Sequence, residues 1–271
     1  MCKQIKMAKK DKNIEVILPL HKFDEETKSL LVKALDSVPK EYNVIISTTQ
    51  DVGTLIASDG DVTARKNVMV YPSEGESDFC SLVMAGVNAV DTPYFSILEY
   101  DDEYSPIWFK NVEQYIEYKP EVSVFLPLND LVDIKDDTFI GYGNEAPWAS
   151  SFSSEIGYID NECLQTFFDF YLTGGVFNKD DFNNVGGLKP SIKLSFWYEF
   201  ILRLTNKGKQ IFVIPKIGYQ HNVNREGSLF DVYRNTMDEK ESKFWLSLAK
   251  RECFFKDDRK KTYDENAEEE D

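Results

Sequence analysis

The sequence predicts an α/β fold built on a mostly parallel central sheet flanked by helices. Two features of its first half favour this class. Strand and helix patterns alternate, and the strands are short and apolar throughout, as strands are when helices cover both faces of a sheet. The chain of 271 residues has no internal repeat and no Pro- or Ser-rich linker. One continuous domain with a less regular second half is therefore expected.

The first half supplies its elements in order. Ile14 to Leu18 is a β-branched run typical of a buried strand, and Pro19 is expected to end it. Asp24 is the predicted N-cap of the next helix, which Pro39 ends. The later elements follow from the same patterns: strands over 42–48 and 67–72, a helix over 77–90, a strand over 93–98, a helix over 106–119 with Ser105 and Pro106 as N-cap and first residue, and a strand over 121–128.

The second half is harder to assign. A polar stretch covers residues 129–160, and its aromatic residues Tyr142, Trp148 and Phe152 either stack on a ligand or pack in the core. The remaining elements are predicted as a helix over 162–171, a helix over about 191–206 with Gly208 as its C-cap, a strand over 210–215, a loop over 221–228 and one long amphipathic helix over 229–253.

The composition indicates a globular protein with an acidic surface. A formal charge of −16 makes nucleic acid a poor expectation as the main partner and suits a protein that holds a cation. The four cysteines form no CxxC motif, which favours reduced thiols and a cytoplasmic protein. With two histidines, a zinc site of His and Cys is not expected. Residues 1–13 are predicted to be a flexible basic arm and residues 257–271 a disordered acidic tail. No apolar run reaches the roughly 20 residues of a transmembrane helix.

Carboxylates crowd the end of the strand over 93–98. Glu99, Asp101, Asp102 and Glu103 all lie within "SILEYDDEYSP". Ligands of a parallel α/β sheet bind at the carboxyl ends of its strands, and carboxylates two positions apart on an extended backbone point the same way. The arrangement suits Mg²⁺ or Mn²⁺, which prefer oxygen ligands. A solvated acidic loop that caps the next helix is the alternative, and the segment alone leaves both open.

Five stretches, one of which contains the acidic segment, occur in a defined order: "VILPLHKF", "MAGVNAVDTPYFSILEYDDEYSP", "TGGVFNKDDFNNVGGLKP", "WYEFILRLTNKGKQIFVIP" and "HNVNREGS". Each is a weak signal alone. Their order and spacing over roughly Ile14 to Leu229 resemble the GT-A glycosyltransferases, especially the family-2-like group. The resemblance implies a single GT-A-like domain over 14–256, with a nucleotide-sugar-binding half over 14–130 and an acceptor half with a C-terminal helix over 131–256.

The resemblance also implies roles for single residues. Asp101 stands at the main metal-coordinating position, Glu99 where the family contacts ribose or metal, and His221 at a histidine that completes the metal or diphosphate site. The cofactor would be Mn²⁺ or Mg²⁺, bridging the diphosphate of a UDP- or GDP-sugar. The other donor-binding residues it implies are Pro19, Leu20 and His21 beside the base, Asp51 at the nucleotide, Gly86 and Tyr100 within the motifs, Gly174 and Gly175 in a loop at donor or acceptor (or in a turn before a strand), and Arg225 beside the phosphates.

The family inverts the anomeric carbon with a carboxylate base, and the sequence departs from it there. Phe196 and Trp197 occupy the positions of the expected acidic pair. Glu199 is the nearest carboxylate and the predicted base, with a role as the partner of Arg203 as its alternative. Asp180 and Asp181 are the predicted substitutes.

Three functions are compatible with these patterns. The first is a metal-dependent, inverting hexosyl- or pentosyltransferase that moves a sugar to an unknown acceptor hydroxyl of a glycan, protein, lipid or modified nucleobase. The second is a GT-A-like domain that has lost catalysis and acts as a binding or structural protein. The third is a glycosyltransferase acting on a hydroxylated base in DNA, which the acidic charge disfavours.

Overall fold

The computed structural model describes residues 12–149, 155–167, 169–237 and 239–253, and within them ten strands form one sheet. The strands are β1 Ile14–Leu20, β2 Val44–Thr49, β3 Val68–Ser73, β4 Tyr94–Ile97, β5 Glu103–Tyr104, β6 Val122–Asp133, β7 Thr138–Gly143, β8 Tyr158–Ile159, β9 Val176–Asn178 and β10 Gln210–Val223. The helices are α1 Glu25–Ser37, α2 Gln50–Ala57, α3 Gly60–Thr63, α4 Phe79–Ala89, α5 Trp108–Tyr118, α6 Asn161–Thr166, α7 Lys179–Asn184, α8 Phe196–Asn206, α9 Leu229–Thr236 and α10 Glu239–Cys253.

The sheet confirms the predicted α/β class. Its order is β3-β2-β1-β4-β9-β6-β10-β5, with β7 paired to β6 and β8 paired to β10. Strands β1, β2, β3, β4, β6 and β10 run in one direction, because β9 is inserted antiparallel between β4 and β6. The carboxyl ends of β1, β4, β6 and β10 therefore meet at one edge of the sheet, where ligands of such folds bind.

Two apolar layers cover the sheet. Every residue of β1 is buried, and all except Glu15 are apolar. Ile17 belongs to the core layer that contains α4 and α8, whereas Val16 and Leu18 belong to the layer with α1 and α5. No helix in the described residues is long and apolar enough to span a membrane.

Several predicted boundaries were wrong. Pro19 does not end β1, which continues to Leu20. The pairing of β4 with β1 ends at Ile17, so the missing N–H of Pro19 leaves no β4 partner unpaired. Ser105 does not cap α5, whose N-cap is Ile107 without a side-chain hydrogen bond. Glu103 lies in β5, paired with β10.

The C-terminal half differs more. β10 extends to Val223, so His221 lies on a strand and not in a loop. The long helix predicted over 229–253 is two helices, because Met237 is extended with ψ of 138°. α9 lines a cavity while α10 packs on α8. The predicted N-cap Asp24 is confirmed by its hydrogen bond from the Thr27 N–H at 2.8 Å.

The predicted arm and tail lie almost wholly outside the described residues. Lys12 is described, and its ammonium contacts Glu113 at 2.9 Å and the Tyr42 hydroxyl at 3.0 Å. Lys12 was predicted to belong to the flexible arm, but it contacts the folded part of the chain.

Gly86 sits where α4 crosses β1 and β2. A Cβ at this position would lie 2.4 Å from Ile17 Cγ2 and 3.4 Å from Ser47 Cβ. Gly86 is absent from the cavity lining described below. Its place in the fold is accounted for by this close helix–sheet approach, and no contact with a donor is indicated.

We predict that Gly86→Ala lowers the free energy of unfolding by about 1–3 kcal/mol, because the added methyl group overpacks the α4–β1 contact. Urea unfolding measures the change. Gly60→Ala is the matched control, since no atom lies within 4 Å of a Cβ there. A loss for Gly86→Ala no larger than that for Gly60→Ala would contradict the packing role.

Candidate functional site

A cavity of about 580 Å³ opens at the carboxyl ends of β1, β4, β6 and β10. Its volume is within the range of small-molecule sites. The wall on the β1 and β4 side is polar, and the wall on the α4, β7 and α9 side is mostly apolar. The lining residues are Pro19, His21, Phe79, Leu82, Glu99, Tyr100, Asp101, Leu131, Ile140, Tyr171, His221, Asn222, Val223, Asn224, Arg225, Ser228, Leu229, Phe230 and Arg234.

Asp102 fastens the acidic turn, residues 99–102, to the end of β10. Its side chain is fully buried and accepts the Asn222 backbone N–H at 2.8 Å. Its other oxygen lies 2.8 Å from His221 Nδ1. The Asn222 side-chain amide donates to the Asp101 carbonyl. A buried carboxylate needs such partners, so these contacts fix the turn against β10.

Asp101 is held by Arg225. The Arg225 Nε donates to Asp101 Oδ2 at 2.6 Å, and both side chains are about nine-tenths buried. The guanidinium lies 4.7 Å from the centre of the Tyr100 ring and also donates to its hydroxyl. Burial raises the pKa of Tyr100 to about 12, so this hydroxyl is neutral. Arg225 therefore offsets the charge of Asp101 within the protein itself.

Glu99 is positioned through its backbone. Its N–H donates to the hydroxyl of the fully buried Tyr219 at 3.0 Å. Burial and the nearby charge of Asp102 raise the pKa of Glu99 to about 8. Burial alone would lower the pKa of His221, but the charge of Asp102 and its hydrogen bond outweigh that effect and raise it to about 9. Both shifts favour the protonated forms of Glu99 and His221.

Glu99, Asp102 and His221 form a cluster that could hold a metal ion. One ligand atom from each residue lies within 4.8 Å of the others. Two carboxylates and an imidazole match the ligands of divalent cations such as Mn²⁺, and the crowded charges give a cation favourable partners. The donor set therefore fits the metal that the resemblance implies.

This cluster differs from the predicted metal set. Sequence reasoning placed Asp101 at the main metal position with Glu99 and His221, but the structure brings Glu99 and His221 together with Asp102. Asp101 is instead committed to Arg225. The sequence shows adjacent aspartates and does not show which of the two turns inward towards β10.

The residues expected along the donor divide into two groups. Pro19, His21, Tyr100 and Arg225 line the cavity with Glu99. Leu20 is fully buried in the core, and Asp51 is exposed on the first turn of α2, outside the lining.

The glycine pair lies behind the cavity. Gly174 has φ of +77°, and a Cβ there would lie 2.5 Å from the ring of Tyr219. A Cβ on Gly175 would lie 2.7 Å from Leu126 Cδ2. The pair forms a turn before β9, and it allows the backbone to approach the tyrosine that holds Glu99. This supports the turn interpretation over direct ligand contact.

The predicted bases are engaged elsewhere. Glu199 is 4% exposed and pairs with Arg203 at 2.8 Å and Lys189 at 2.7 Å. Asp181 pairs with Lys209 and accepts the Ser123 hydroxyl at 2.6 Å, near the start of β6. Neither residue lines the cavity. Their geometry fits the alternative of a structural ion pair.

Sequence reasoning missed the α9 and β7 wall. Arg234 of α9 is exposed at the cavity and forms no salt bridge within the described part of the chain. Tyr171 lies with its ring centre 5.2 Å from that of His221. No sequence motif marks these residues. The basic last turn of α9 was the available signal.

Two of the aromatic residues singled out in the sequence lie elsewhere. Trp148 donates a hydrogen bond to the Val213 carbonyl at 3.1 Å, whereas Phe152 lies outside the described residues.

His21 adds a neutral ring to the polar wall. Its ring centre lies 5.9 Å from that of Tyr100. Burial and the charges of Lys22 and Arg225 lower the pKa of His21 to about 4. The unfolded chain therefore takes up this proton more readily than the folded chain.

We predict that His21→Gln reduces the loss of stability in mild acid. The neutral His21 contributes stability that is complete above its ordinary pKa of about 6.5 and is lost as pH falls towards 4. Urea unfolding of both proteins at intervals between about pH 7.5 and 4.5 measures the slopes. Equal slopes in both proteins would contradict the assigned environment of His21.

No protein-family model and no curated protein matches the sequence. Solved structures do match. The crystal structure of S. aureus TarS 1-349 aligns with a TM-score of 0.58 at 15% identity, over 82% of this chain and 63% of that one. TarS 1-349 in complex with UDP-GlcNAc aligns with a TM-score of 0.61 at 13% identity, over 81% and 61%.

The chain thus spans less than two thirds of these TarS structures, and 38% of a longer TarS chain that aligns with a TM-score of 0.57. TarS is a GT-A-like glycosyltransferase. At such low identity the match shows the fold, and the fold of this chain is GT-A-like, with a mostly parallel, curled central sheet.

Proposed function

We propose that this GT-A-like chain is a metal-dependent glycosyltransferase that uses a nucleotide-diphosphate sugar. The observation that carries the proposal is the cluster of Glu99, Asp102 and His221, within 4.8 Å of one another beside a cavity at the strand ends. TarS, which shares the fold, has been crystallised with UDP-GlcNAc and with UDP, so a UDP-sugar is the first donor to test.

The polar wall of the cavity suits such a donor. Pro19 and His21 would border the base, and the neutral ring of His21 places no charge there. The diphosphate would lie towards Arg225 and the Glu99–Asp102–His221 cluster. Arg234 of α9 offers a further positive charge at the cavity. When bound, a cation at the cluster would offset the charge that develops on the leaving diphosphate.

Inversion at the anomeric carbon is the outcome that the resemblance implies, and it requires a base for the acceptor hydroxyl. Glu199 and Asp181, the expected bases, do not line the cavity. With Glu99 assigned to the cation, Asp101 is the other carboxylate among the lining residues. We therefore assign the base role to Asp101, with Arg225 orienting its side chain.

We predict that Glu99→Gln and His221→Ala weaken Mn²⁺ binding about tenfold or more, because each removes one ligand of the cluster. Asp101→Asn retains the affinity, since Asp101 pairs with Arg225 and not with the cation. Calorimetric titration of MnCl₂ in the presence of UDP measures all three variants. Glu103→Gln is the control, because it makes the same change on β5, outside the cluster.

A loss of Mn²⁺ affinity in Asp101→Asn, alongside the losses in Glu99→Gln and His221→Ala, would restore the metal set of Asp101, Glu99 and His221 that the resemblance implies. Absence of any Mn²⁺ or UDP binding by the wild-type protein would overturn the proposed function. The donor and sugar are then sought by screening nucleotide-sugars for metal-dependent hydrolysis, with mass spectrometry of any glycosylated product.

A catalytically lapsed binding protein is the second candidate, and one observation favours it. The residue expected to be the base, Glu199, is tied in two ion pairs away from the cavity. Such a protein would bind UDP and Mn²⁺. It would release no UDP from any UDP-sugar, whichever acceptor is supplied. Sugar transfer by the wild-type protein would favour the enzyme if Asp101→Asn abolishes the transfer and retains the affinity for UDP. The DNA-base alternative gains no support, because the formal charge of −16 disfavours nucleic acid as a partner.

A further inference from the structure

A cluster of exposed apolar side chains lies on β7. We call Phe139, Ile140 and Tyr142 the β7 surface. Their exposed fractions are 56%, 53% and 49%. The rings of Phe139 and Tyr142 lie 4.9 Å apart between centres, at 59°. Three large apolar side chains on one six-residue strand are unusual for a solvent-facing edge and mark a binding surface.

A β-bulge joins this surface to the cavity. Leu131 of β6 pairs with Gly141, and the next residue, Val132, pairs with Phe139, so Ile140 is the extra residue. A bulge turns a side chain away from the regular alternation of the strand. Ile140 and Leu131 both line the cavity, whereas Phe139 and Tyr142 lie outside it. The β7 surface is therefore continuous with the apolar wall opposite the predicted donor.

The surrounding charge limits what this surface can bind. Residues 130–145 contain five carboxylates and one lysine, a formal charge of −4. Repulsion disfavours nucleic acid, anionic polymers and anionic membranes. Half-exposed aromatic rings instead suit a neutral ligand with flat apolar faces and polar edges. A sugar ring has this form, since its C–H groups lie on the faces and its hydroxyls on the rim.

We propose that the β7 surface binds a neutral saccharide acceptor and directs one of its hydroxyls into the cavity. This inference rests on the proposed glycosyltransferase function. In the transfer, the acceptor oxygen forms a bond to the anomeric carbon and the bond from that carbon to the diphosphate breaks. The hydroxyl proton passes to the base, and the nucleoside diphosphate leaves with the bonding electrons.

The test separates the acceptor surface from the donor site. Wild-type protein with UDP and MnCl₂ is applied to an array of neutral oligosaccharides, and the best ligand is titrated calorimetrically against variants. Phe139→Ala/Tyr142→Ala is expected to weaken that ligand about tenfold, because two aromatic contacts are lost. UDP affinity is expected to stay within twofold. Tyr118→Ala is the control, since Tyr118 is 81% exposed on α5 and outside the cavity.

Three results would overturn the proposal: no neutral oligosaccharide retained, equal binding by wild type and the double variant, or preferential binding of an oligonucleotide or of phosphatidylglycerol vesicles. Circular dichroism of each variant excludes unfolding as the cause. Saccharide binding that depends on the β7 surface while UDP fails to bind would support the surface and overturn the donor assignment. The two failures are therefore distinguishable.

Discussion

The candidate site depends on one buried charge. Asp102 is fully buried, and an uncompensated carboxylate there would cost several kcal/mol. It is compensated by the Asn222 N–H and by His221, both at 2.8 Å and both on β10. The strand end that carries Glu99 is thereby fixed to a strand that lies about 120 residues later in the chain. Removing this contact would free the acidic turn and separate the residues that could hold a cation.

Two further sets of contacts hold the neighbours of Asp102, namely Asp101 and Glu99. On one side Arg225 neutralises Asp101 and stacks on Tyr100, which keeps a second carboxylate at the cavity without leaving its charge unpaired. On the other side Tyr219 holds the Glu99 N–H, and Gly174 permits the chain to pass close to the tyrosine ring. The site is thus built from strand ends and their supports, while α4, β7 and α9 close the cavity with apolar side chains. This division into a polar wall and an apolar wall suits the two dissimilar substrates of the proposed transfer.

The features that the sequence predicted are those that local patterns determine. Short apolar runs located the strands of the first half, and Asp24 marked the start of α1. The strand end at Glu99 followed from the same runs. The missed features depend on partners distant in the sequence. Strand β10 continues to Val223 because it pairs with β6 beyond Pro215. Asp102 turns inward because it pairs with Asn222 and His221. Glu199 forms ion pairs with Arg203 and Lys189 and does not line the cavity. The bulge at Ile140 likewise exists only in the pairing of β7 with β6.

In the proposed site the cation binds Asp102 and not Asp101. Anomalous X-ray diffraction from crystals grown with MnCl₂ and UDP, recorded on both sides of the manganese absorption edge, distinguishes the two positions. We expect one anomalous peak within bonding distance of Glu99, Asp102 and His221, with Arg225 still paired to Asp101. A peak on Asp101 with Arg225 displaced, or density for UDP without any manganese peak, would contradict it.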